Sequence, residues 1–148
     1  MNEKQIKKNN KRVVLVGGCF DLIHYGHVEF LREAKNAGDH LIVLLESDES
    51  VRRMKGESRP IHTQEQRKAM LESLRVVDEV IMLKPLLTDD QYKAVIDDTH
   101  PDIIALTEGD PIEDRKRRQA ESIGADVLVI PKIHTPSTSQ LAKLLGLE

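Results

Sequence analysis

The chain has 148 residues, of which 39% are hydrophobic, 32% charged and 3% aromatic, with a net charge of −3 and a single cysteine. That length suits one domain with a real core. The charge excludes strong global attraction to nucleic acid; lone Cys19 excludes an internal disulfide and fits a reducing cytoplasm; no apolar run approaches the ~20 residues that cross a bilayer. Residues 1–12 carry Lys4, Lys7, Lys8, Lys11 and Arg12 among Asn and Gln. They read as a solvated basic arm rather than an RNA-binding segment, and nothing in them resembles a signal peptide. Residues 13–148 are expected to form the folded domain.

Val13-Val14-Leu15-Val16 is an unbroken β-favouring run, the pattern of a parallel strand buried on both faces. Gly17-Gly18 ends it where the backbone turns or approaches something closely. From Gly26 the period changes: Val28, Leu31 and Ala34 share one face of a helix. His24 and His27 therefore stand where a strand hands over to a helix N-terminus, whose free N–H groups and dipole favour an anion. The expectation is a phosphate site.

Gly38 ends the first helix, and Leu41 to Leu45 form a second buried strand. Glu46 at its end is where dinucleotide-binding folds hold a ribose, but Gly17, Gly18 and Gly26 do not make G-x-G-x-x-G. Ser47 or Asp48 caps a short helix. Met54 to Pro60 has no period and reads as a loop bearing Lys55 and Arg59, suited to closing over a triphosphate. Thr63 and Gln66 have capping-box spacing and open a helix expected to bury Ala69, Met70 and Leu74, with Arg67 on its polar side or in a salt bridge. Val80 to Leu83 is a third strand; Asp89 to Thr99 is a helix; Ile103 to Leu106 is a fourth strand, followed by Thr107 to Pro111. Asp114 to Ile123 is a helix whose run Arg115 to Arg118 reads as a solvated face. Val127 to Ile130 is a fifth strand, and Ser137 to Gln140 opens a last helix with another capping box. Strands alternating with helices imply right-handed crossovers and a parallel sheet.

Gly18-Cys19-Phe20-Asp21-Leu22-Ile23-His24-Tyr25-Gly26-His27 resembles the G-x-F-D-x-x-H-x-G-H signature of the cytidylyltransferase-like nucleotidyltransferases. These include glycerol-3-phosphate cytidylyltransferase, the adenylyltransferase domain of ADP-heptose synthase and archaeal FAD synthase. The similarity extends through Lys55 to Pro60 and Glu65-Gln66-Arg67 to Ser137-Thr138-Ser139. It implies a Rossmann-like three-layer α/β/α fold with a five-stranded parallel sheet in order 3-2-1-4-5. It also implies transfer of AMP or CMP from a nucleoside triphosphate to a phosphorylated sugar, polyol or FMN, and a homodimer.

Carried onto these positions, the resemblance makes His24, His27 and Lys55 catalytic. It makes Gly18, Cys19, Phe20, Gly26, Arg59, Glu108, Gly109, Asp110, Ser137, Thr138 and Ser139 nucleotide-binding, and Asp21, Lys55 and Lys132 acceptor-binding. Mg²⁺ is expected on the phosphates, with Asp21 as a candidate ligand. No general base is needed, because a phosphate monoester with a second pKa near 6 is already a dianion. Lys132 stands where the cytidylyltransferases have Arg and Thr135 where they have Gly, a departure toward the adenylyl side. A nucleotide-binding regulatory module without turnover is the alternative.

Overall fold

A computed structural model describes residues 11–133, 135 and 138–146. Its strands are β1 (Val13–Gly18), β2 (His40–Leu45), β3 (Glu79–Met82), β4 (Ile103–Thr107) and β5 (Asp126–Ile130). Its helices are α1 (Tyr25–Asn36), α2 (Asp48–Lys55), α3 (Gln64–Glu72), α4 (Asp89–Thr99), α5 (Glu113–Ile123) and α6 (Thr138–Leu144). Every strand pair is parallel and the order is β3-β2-β1-β4-β5, as the resemblance implies. Residues 1–10 of the basic arm lie outside the described residues.

The alternation along each strand divides the core in two. Val14, Val16, Leu41, Val43 and Leu45 point to the face covered by Leu31 and Ala34 of α1 and Leu71 of α3. Val13, Leu15, Ile42 and Leu44 point to the face covered by Ile96 of α4 and Ala120 of α5. Burying one such side chain is worth about 1.5–3 kcal/mol. Since β1 is central and covered on both sides, the backbone leaving its carboxyl end is held firmly.

The sequence expectation for α3 needs correction. Leu71 and Arg67 are its buried residues, while Ala69 is exposed and Met70 is 36% exposed. The stretch from Met54 is corrected too, since α2 continues to Lys55 and Gly56 is its C-cap at φ 109°. Connections run β1-β2-β3 to one side of β1 and β4-β5 to the other. The order therefore reverses between β1 and β4, and a crevice opens beyond their carboxyl ends.

Candidate active site

The β1–α1 connection builds one wall of that crevice. Phe20 and Leu22 adopt left-handed backbone (φ 48° and 54°), a conformation unusual for side chains larger than Asn. Phe20 is locked there by burial in the core. A Cβ on Gly18 would meet the Phe20 ring at 2.9 Å, so the glycine makes room for it. Between the two strained residues, Asp21 is turned inward. Its carboxylate accepts hydrogen bonds from Arg59 Nε at 2.8 Å, the Ile61 N–H at 2.7 Å and the His62 N–H at 3.0 Å.

His24 is the N-cap of α1, and the two histidines cap reciprocally. His24 Nδ1 accepts from the Gly26 N–H at 3.0 Å, and His27 Nδ1 accepts from the His24 N–H at 3.2 Å. A neutral imidazole that accepts at Nδ1 carries its proton on Nε2. Both rings thus present an N–H donor at the edge opposite the cap. The rings stack with centroids 4.0 Å apart and an interplanar angle of 29°. Burial, together with the His24 and Lys55 charges, lowers the His27 pKa to about 4, and burial lowers that of His24. Both are neutral donors at pH 7. Gly26 is needed for this packing, because a Cβ there would lie 2.9 Å from His24 Cε1 and 3.0 Å from Thr135 Cγ2.

The depressed His27 pKa has a consequence for stability. Between its ordinary value of 6.5 and about 4, the unfolded chain binds a proton at this position that the folded chain rejects. Stability is therefore full above pH 6.5 and is lost as pH falls toward 4. Thermal melting at pH 7 and pH 5 should show a larger loss in the wild type than in His27→Asn; equal losses would contradict this.

Two cavities meet along Gly17 to Phe20, His27, Asp110 and Lys116. The smaller, about 250 Å³, is walled by His24, Gly26, Phe30, Thr107, Lys132 and Thr135 besides the shared residues. The larger, about 870 Å³, extends under α2, α4 and α5, past Glu46, Arg53, Lys55, Tyr92 and Arg115. Cys19 lies on the shared border; burial raises its pKa against the opposing pull of Lys55. The thiol therefore stays protonated.

The structure brings together His24, His27, Gly18, Cys19, Phe20, Gly26 and Asp110, and puts Lys55 on the larger cavity. It sets other expected residues apart. Glu108 and Gly109 are exposed and line neither cavity. Lys132 lines the smaller cavity. Arg59 lines the larger cavity, but it is 2% exposed and ion-paired with Asp21, which balances its charge from within the protein. Asp21 lines the same cavity with its carboxylate already taken by Arg59 and the two backbone N–H groups. Ser137 lies outside the described residues, as do the side chains of Thr138 and Ser139.

Two further residues are part of the site: Lys116, which the sequence places on a solvated face, and Arg67, whose expected salt bridge is present. Lys116 lines both cavities and pairs with Asp110 at 2.7 Å. It stands one helical turn before buried Ala120, a spacing that marks the inner face of α5. Arg67, fully buried, is a strut. It donates to the carbonyls of Cys19 (2.8 Å), Glu46 (2.9 Å) and His62 (3.0 Å) and pairs with Asp48 at 2.7 Å, tying β1, β2 and α2 to α3.

The sequence model of the Cytidylyltransferase-like family matches residues 15–140. The chain is 41% identical over 123 residues to a bifunctional protein HldE of Campylobacter jejuni, covering 83% of this chain and 24% of that protein. It is 38% identical over 144 residues to the HldE of Wolinella succinogenes, covering 95% of this chain and 28% of that one. The chain thus spans about a quarter of the length of these relatives. Among solved structures, a lipopolysaccharide core biosynthesis protein from Thermoplasma volcanium superposes with a TM-score of 0.66 at 31% identity, covering 83% of this chain and 97% of that one.

Proposed function

The chain belongs to the cytidylyltransferase-like family, and on that premise we propose that it transfers AMP or CMP from a nucleoside triphosphate to a small phosphorylated acceptor. An acceptor phosphate oxygen attacks the α-phosphorus, a new P–O bond forms, the bond from the α-phosphorus to the bridging oxygen breaks, and pyrophosphate leaves with both electrons. The observation that carries this reading is the shared border of the two cavities. A nucleotide in the smaller and an acceptor in the larger meet at Gly17 to Phe20 and His27, where their reacting atoms can align.

Charge builds up on the phosphoryl oxygens and on the departing pyrophosphate. The Nε2–H groups of His24 and His27 are preorganised donors for it, and being neutral they need not release a proton to accept a new hydrogen-bond partner. Lys55 adds positive charge from the acceptor side, and Lys116, paired with Asp110, is a cationic donor on the border of the two cavities. Mg²⁺ is proposed to enter with the nucleotide as the counter-ion of its phosphates, because the Asp21 carboxylate already accepts from Arg59 and two backbone N–H groups. Among the described residues no group of three or more His, Cys, Asp or Glu side chains is arranged to hold a metal. ATP is the favoured donor, on the departure at Lys132. The family resemblance supports extending the proposal to a homodimer in the cytoplasm. Among the described residues no helix is long and apolar enough to cross a membrane.

The test is pyrophosphate release over ATP, CTP, GTP and UTP against a panel of phosphorylated sugars, polyols and FMN. Release with one donor and one acceptor class is expected. Nucleotide binding without release from any pair would favour the regulatory module.

A further inference from the structure

The larger cavity has polar groups of two kinds. Some are already partnered across the wall: Asp110 with Lys116 at 2.7 Å, and Asp89 with Arg115 at 3.6 Å. Others are not. Arg53 and Lys55, at the exposed end of α2, make no ion pair among the described residues. Glu46, half-buried at the carboxyl end of β2, has no cation on its carboxylate among the described residues either. The Tyr92 hydroxyl donates to it, lying 2.5 Å from Oε1 and 2.6 Å from Oε2. Both charges act on the Cys19 thiol, so Glu46 and Lys55 lie near the border with the smaller cavity.

A half-buried carboxylate with one neutral donor has acceptor capacity left over. Tyr92 keeps the carboxylate in place, and burial together with Glu46 pushes its own pKa up, so it remains a donor. A carboxylate lining a cavity that also carries Arg53 and Lys55 repels a bare phosphate but attracts hydroxyl hydrogens. Resting on the nucleotidyl-transfer reading, we propose that Glu46, positioned by Tyr92, binds the hydroxyl groups of the acceptor. The acceptor is then a phosphorylated polyol, its phosphate toward Arg53 and Lys55 and its hydroxyls toward Glu46. Glu46 decides specificity by rejecting acceptors that would leave its carboxylate unpaired.

The full chain is assayed for pyrophosphate release with sorbitol 6-phosphate, ribose 5-phosphate and mannose 1-phosphate, and with propyl phosphate as the hydroxyl-free control. The wild type should use at least one polyol phosphate better than propyl phosphate. Glu46→Gln should raise the KM for that polyol phosphate on the order of ten- to a hundred-fold, the loss of a hydrogen bond to a charged group. The KM for the nucleotide and for propyl phosphate should stay unchanged. Tyr92→Phe, which removes a single oxygen, should raise the same KM by less, and it carries the test if Glu46→Gln fails to fold. A variant that raises the KM of polyol and propyl phosphates equally, or only that of the nucleotide, would overturn the inference while leaving nucleotidyl transfer intact. Wild type that releases no pyrophosphate with any acceptor would overturn both.

Discussion

Replacing His27 by Asn is expected to lower turnover on the order of 10²- to 10³-fold while the chain stays folded. The substitution is chosen for its geometry. Asn Oδ1 can take the place of Nδ1 and accept from the His24 N–H, so the cap of α1 survives. What disappears is the Nε2–H on the far edge of the ring, at the border of the two cavities. A group that only packed against Phe20, whose ring centroid is 5.4 Å away, would cost stability rather than rate. His27→Gln places an amide N–H near the Nε2 position and should recover part of the rate. Single-turnover pyrophosphate release, with thermal melting of each variant, checks both results. Loss of melting temperature in His27→Asn with the rate preserved would remove the ring from the catalytic machinery.

The second large effect concerns stability. Arg59→Met leaves the Asp21 carboxylate buried without its guanidinium, the situation in which breaking an ion pair costs about 3–5 kcal/mol. For a chain of this size that corresponds to a fall of roughly 6–20 °C in melting temperature. Burial drives the Asp21 carboxyl upward. The Ile61 N–H, the Arg59 guanidinium and the His62 N–H outweigh that pull, so its pKa is lowered overall and it remains charged. Removing both charges, in Asp21→Asn with Arg59→Met, should restore part of the loss. Differential scanning calorimetry of the wild type, the two single variants and the double variant gives the coupling. If Arg59 instead held a nucleotide phosphate, Arg59→Met would melt with the wild type and weaken nucleotide binding.

Those two residues also mark where the sequence becomes hard to read. The β1 run, the Thr63 capping box and the histidine pair are legible because each depends on neighbours within four residues. So is the order of the strands, once the motif points to a family. Arg59 and Asp21 are 38 residues apart, and nothing in a local pattern says that a loop cation will be drawn under a strained turn to neutralise a carboxylate. Arg67 is the same case: the motif marks its position, but its strut across Cys19, Glu46 and His62 depends on three separate segments. Lys116 was hidden differently. It sits in a run of four cations, and the phase set by Ala120 singles it out. Met70 and Leu71 differ by one residue in that same phase.

Histidine side-chain ¹⁵N spectra of the wild type, titrated from pH 7.5 to pH 4 and repeated with a non-hydrolysable ATP or CTP analogue, test the central claim most directly. The account predicts neutral rings at pH 7, both protonated at Nε2 and bare at Nδ1, with His27 titrating near 4 in the free protein. It also predicts that the analogue shifts both Nε2 resonances. Rings protonated at Nδ1, or Nε2 signals that ignore the polyphosphate, would contradict it.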